Sequence, residues 1–97
     1  MAIEWKYSVV DLADNSTTIE SVPCLVNGVY INTATSAHAC LIKDDTTSIY
    51  TIPASATAAN RYGFGPTRFE TSLVVDPDDS ATGSITVEYV ILGDAHG

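Results

Sequence analysis

The chain reads as an all-β protein, a two-sheet antiparallel β-sandwich of seven or eight strands in jelly-roll or Ig-like order. Three observations predict this. Apolar and polar residues alternate over most of the length, as in strands with one wet side. Turn residues recur at short intervals: Asp14-Asn15, Asn27-Gly28, Lys43-Asp44-Asp45-Thr46 and Asp76-Pro77-Asp78-Asp79. The one alanine-rich stretch, 53–60, has no amphipathic stripe and reads as a loop crossing between sheets.

The first strand is read over Ile3 to Leu12, where Ile3, Trp5, Tyr7 and Val9 alternate with Glu4, Lys6 and Ser8. That pattern predicts a buried aromatic face. Asp11 to Ser16 is a turn, and Thr17 to Val22 a short polar strand near an edge, stopped by Pro23. Cys24 to Asn32 allows two readings. Asn27-Gly28 is a strong hairpin signal, but the arm after it is very short. The preferred reading is one central strand with a bulge or close backbone approach at Gly28. Thr33 to Ala37 connects to a hairpin, Ala39 to Lys43 and Thr47 to Ile52, around Lys43-Asp44-Asp45-Thr46. Arg61 to Pro66 is a glycine and aromatic stretch, a turn or a short strand that lets Phe64 pack inward.

Two runs close the chain. Phe69, Leu73 and Val75 share one face of Arg68 to Asp76, and Ile85, Val87, Tyr89 and Ile91 share one face of Ser84 to Leu92. The polar stretch Asp76 to Gly83 joins them, and 93–97 is a polar tail.

The 97 residues fit a single domain, 1–97, burying roughly 65% of the surface of the unfolded chain. Four basic residues against 12 acidic ones give a formal charge of −8. Nucleic acid and anionic membranes are therefore poor partners, since both need clustered Lys and Arg. No apolar run is long enough to span a bilayer, and the N-terminus lacks the pattern of a secretion signal. Cys24 and Cys40 are expected as reduced, buried thiols, with a disulfide between neighbouring strands as the alternative.

Candidate chemistry is sparse. Asp76, Asp78 and Asp79 form the densest carboxylate cluster, but the spacing is not that of a calcium loop. A solvated turn is the better reading, unless Asp11 or Asp14 comes near. His38 and His96 lie far apart in sequence, and no nucleophile elbow supports a Ser/His/Asp triad. Gly63-Phe64-Gly65-Pro66 lacks the lysine and spacing of a phosphate loop. Asn15-Ser16-Thr17 matches a glycosylation sequon. Among the aromatics, Trp5, Tyr7 and Tyr89 fall with the apolar set, and Tyr50 and Tyr62 are the expected exposed pair. No catalytic residue, cofactor or metal is assigned, and the expectation is a protein that is not an enzyme. Val10, Val74 and Val90 fall on the otherwise polar faces of their strands, which marks them as an expected oligomer or partner surface.

Six segments, Gly28-Val-Tyr-Ile-Asn32, Ser36-Ala-His38, Ile42-Lys-Asp44, Tyr50-Thr-Ile-Pro-Ala-Ser55, Arg68-Phe-Glu-Thr-Ser-Leu-Val-Val-Asp-Pro-Asp-Asp79 and Ala81-Thr-Gly83, together resemble small β proteins of tailed bacteriophages from aquatic samples. The resemblance covers about residues 24–90 and carries no motif of known chemistry. Several such proteins are capsid decoration, or cement, proteins, and others belong to tails or fibres. The resemblance implies a virion component; the expected place is the capsid surface, with the major capsid protein as partner. A homotrimer is the expected assembly, from the three valines and the three-fold positions that capsid lattices offer. A carbohydrate-binding or structural module of a tail fibre is the alternative.

Overall fold

The structure, a computed structural model, describes residues 5–13, 16–78 and 80–92. Among them are eight strands: β1 (Lys6–Asp11), β2 (Thr17–Glu20), β3 (Cys24–Thr33), β4 (Cys40–Asp44), β5 (Thr47–Ile52), β6 (Arg61–Phe69), β7 (Leu73–Pro77) and β8 (Ser84–Ile91). They form two antiparallel sheets of four, β1-β8-β3-β6 (sheet A) and β2-β7-β4-β5 (sheet B).

The pairing has a simple origin. β4 pairs with β5, β3 with β6, β2 with β7 and β1 with β8. The numbers of paired residues add to 91 at Asp44↔Thr47, 92 at Thr17↔Val75, 93 at Cys24↔Phe69 and 95 at Lys6↔Tyr89. The chain is thus one long hairpin folded about Asp45 and Thr46, then rolled so that successive pairs alternate between sheets. This is jelly-roll order, and it decides between the two sandwich topologies the sequence allowed. The turn at its centre is the expected one, with Asp45 in the left-handed region at φ 55°.

β3 is central and continuous, with a register shift between Val26 and Gly28 against both neighbours. The shift explains why its sequence looked apolar on both sides. Cys24 and Val26 point inward before it, and Val29 and Ile31 after it. A Cβ on Gly28 would lie 2.5 Å from the Tyr62 carbonyl oxygen, so the glycine is there for close strand approach, not for a hairpin.

Four expectations need correction. Arg68 to Asp76 is not one strand: β6 ends at Phe69 in sheet A and β7 starts at Leu73 in sheet B. The inward parity of Phe69, Leu73 and Val75 holds across the break, which is why the break was invisible. The turn expected between the last two strands does not join neighbours in one sheet either, because β7 and β8 lie in different sheets. In β1 the faces are reversed. Val10 and, just beyond the strand, Leu12 point into the core, while Trp5, Tyr7 and Val9 are exposed; Ile3 lies outside the described residues. A one-residue change of parity exchanges the two faces of a strand, and in β1 the apolar residues on both parities left the choice to tertiary packing. Tyr50 and Tyr62, finally, are half-buried rather than exposed. Tyr50 stacks on Phe64 with centroids 4.6 Å apart and tilts against Tyr62 at 6.3 Å. These rings close the side of the sandwich where the edge strands β5 and β6 face each other.

The core is aliphatic between the sheets, with Phe69 its largest fully buried side chain. Tyr89 joins it, and its hydroxyl donates to Glu20 at 2.7 Å, tying β8 to β2 across the sheets. Stretch 53–60 crosses from sheet B to sheet A without helix, as expected. It is held by the Ala56 amide donating to Thr35 Oγ1 and the Thr35 amide donating to the Ala56 carbonyl. Cys24 and Cys40 are free and buried, in opposite sheets. Burial pushes their thiols up, to about 11 and about 12 respectively.

Candidate functional site

The outer face of sheet A carries the densest polar and aromatic cluster among the described residues. The ladder sets Glu88 on β8 beside Tyr7 on β1 and Gly28 on β3. Gly28 offers no side chain, and the adjacent bulge delivers Asn27, whose amide donates to Glu88 Oε1 at 2.5 Å. From β6, the Arg61 guanidinium reaches the same oxygen at 3.4 Å and lies 5.3 Å from the centroid of the Tyr30 ring. Tyr7 lies directly opposite Glu88 on the ladder.

Glu88 is only 8% exposed although it sits on an outer face. The bond from Asn27 lowers its pKa most, with further lowering from Tyr7 and Arg61 against the opposing effect of burial. The same contact with Glu88 raises the Tyr7 hydroxyl. Tyr30 and Glu88 beside it raise the Arg61 guanidinium further, against the opposing effect of burial. Glu88 is therefore an ionised acceptor with its donors in place. It links β8 sideways to β3 and β6, with Tyr7 of β1 opposite it, and braces the outer face. Beside it, Tyr7 is 60% and Val9 70% exposed, and Trp5 is exposed just before β1.

The three valines expected to mark a partner surface lie elsewhere. Val10, Val74 and Val90 are 3%, 9% and 4% exposed, so the chain itself already covers them. Val10 belongs to the core because of the reversed parity of β1. Among the described residues, the large apolar side chains left open are Trp5, Tyr7 and Val9, with Val22 and Ile49 at separate places in the sequence. Sequence reasoning missed this patch because exposed aromatics alternating with polar residues look the same as buried ones. The Glu88 cluster was equally hidden, since its members come from four strands.

The carboxylates of the β7–β8 connection border a second, open concavity. A groove of about 430 Å³ is lined by Ala39, Leu41, Asp76, Pro77 and Asp78. Lys43 Nζ reaches Asp76 at 3.1 Å, and His38 Nδ1 lies 3.0 Å from Asp78. Asp11 accepts from the Ala13 amide in its own turn. Among the described residues no three His, Cys, Asp or Glu side chains converge as a metal site. Asp14, Asn15, Asp79 and His96 lie outside the described residues.

No family model matches the chain, and neither the curated proteins nor the solved structures contain a match.

Proposed function

We propose that the protein is a structural component of a tailed-phage virion, a decoration protein that binds the outside of the capsid and reinforces it by contact area rather than by chemistry. The observation that carries the reading is the outer face of sheet A. There, a braced polar cluster is flanked by Tyr7, Val9 and Trp5, which are apolar and open to a partner. Aromatic and arginine side chains around a desolvated centre are what protein interfaces favour. The resemblance over residues 24–90 and the jelly-roll order, shared by many capsid-associated domains, point the same way. A charge of −8 favours solubility and discourages contact with the packaged genome.

Contact across neighbouring capsid subunits adds interface area that resists internal pressure. Several attached copies or feet would bind at high effective concentration. The homotrimer loses one of its two grounds, because Val10, Val74 and Val90 are covered within the chain; the three-fold positions of a capsid lattice are the other.

A tail-fibre module that binds carbohydrate is the second reading. It is favoured by Tyr7 opposite Glu88 and Tyr30 beside Arg61, with Asn27 on the same carboxylate, a combination that can stack on and hydrogen-bond a sugar. Locating the protein in purified virions separates the two. Decoration predicts a head location, many copies per particle and earlier heat release of the genome when the protein is removed. A location confined to fibres, with glycan binding, would replace it by the second reading.

A further inference from the structure

We propose that two copies of this chain pair edge to edge through β1, antiparallel about a two-fold axis, joining their A sheets into one sheet of eight strands. The sandwich has four edge strands, β1 and β6 in sheet A and β2 and β5 in sheet B. Exposed edges invite pairing unless something blunts them. β2 has four residues and an irregular register. β6 carries Gly63, Gly65 and Pro66, with Arg61 and Arg68 toward its ends. Half of β5 is Thr and Ser, and its ladder with β4 slips between Ile42 and Lys43. β1 shares only the terminal charges, Lys6 and Asp11. It runs six residues in unbroken register, without glycine or proline, and exposes Tyr7 and Val9.

The backbone fits such a pairing. The Leu12 amide donates to the Gly83 carbonyl, which continues the β1–β8 ladder by one rung. Bonded and non-bonded pairs alternate along an antiparallel ladder. Lys6, Ser8 and Val10 therefore bond β8, while Tyr7, Val9 and Asp11 turn their amides and carbonyls to the open edge. Residues directly opposite in an antiparallel pair share a face, so odd residues must meet odd ones. Tyr7 opposite Val9 of the second copy, with Ser8 on the axis, meets both conditions.

The register is self-complementary, which commits the edge to a second copy. Lys6 stands at one end of the strand and Asp11 at the other, on opposite faces. Antiparallel pairing sets Lys6 across from Val10 of the second copy and brings ends of opposite charge together, whereas parallel pairing would set like charges side by side. Tyr7 and Val9 of both copies then form one apolar stripe between the two Glu88 clusters. The dimer does not depend on the capsid reading; if both hold, the joined face is what meets the shell.

Analytical ultracentrifugation of the wild type, Val9→Pro and Val9→Lys tests the proposal. Proline at 9 removes an amide that only the open edge uses, and lysine keeps the backbone but places a charge in the stripe. The contact is smaller than a standard interface, so the wild type should show dimers by roughly 200 µM. Both variants should lose at least about tenfold in association, with an unchanged β spectrum. Val9→Lys decides the matter should Val9→Pro fail to fold. A wild type that stays monomeric at that concentration overturns the proposal. So does a dimer or trimer that Val9→Lys leaves intact.

Discussion

Asp44, the last residue of β4, does work that its place in a turn did not reveal. Its carboxylate accepts from the amides of Glu70, Thr71 and Ser72 at 2.8, 2.9 and 3.2 Å, holding the crossing from β6 to β7. Burial acts to raise its pKa, yet the three amide bonds together outweigh it and the net direction is down. Asp44→Ala should therefore cost about 1–3 kcal/mol in urea unfolding, several donors losing one acceptor. Asp44 and Glu88 are both depressed in the folded state. Such groups stabilise the fold above their unfolded values near 4, and that contribution disappears as pH falls through the folded values. Cys24 and Cys40 are raised, so their contribution is complete below the unfolded thiol value and is lost as pH rises toward about 11 and about 12. Melting temperature should accordingly plateau between roughly pH 5 and pH 8 and fall on both sides. A maximum at pH 3 would contradict these assignments.

Elements differ in how plainly the sequence announces them. β4–β5 was legible because its turn and alternation are local. β8 was legible because only one of its parities carries an unbroken run of large apolar side chains, Ile85, Val87, Tyr89 and Ile91. β1 was not, since Tyr7 and Val9 compete with Val10 and Leu12 and only the opposing sheet decides. The reversed parity is open to direct test. Val10→Ala should cost roughly 2 kcal/mol as a core truncation, while Val9→Ser should leave the monomer's stability nearly unchanged. Equal losses would restore the parity read from the aromatics. In β3, Gly28→Ala should destabilise by about 1–3 kcal/mol, as forced overpacking does, because its Cβ meets the Tyr62 carbonyl. A neutral result would mean that β3 and β6 are less closely apposed at the bulge.

At the scale of the whole molecule, one hairpin rolled into two sheets explains what the sequence could and could not disclose. Strand existence depends on nearby residues, and nearly all of it was readable. Sheet membership depends on ladders that join residues as distant as Lys6 and Tyr89, and local alternation carries no trace of them. The Glu88 cluster arises at that longer range, from Tyr7, Asn27 and Arg61 meeting on one face. Its use as a docking surface is the central claim. The most direct measurement of the proposed reading is cosedimentation of the purified protein with tailed-phage heads lacking any decoration protein, comparing the wild type with Tyr7→Lys and Arg61→Glu. The account predicts saturable binding by the wild type and a loss of at least about tenfold in affinity for either variant, with folding retained. Failure of the wild type to bind heads, or undiminished binding by both variants, would contradict it.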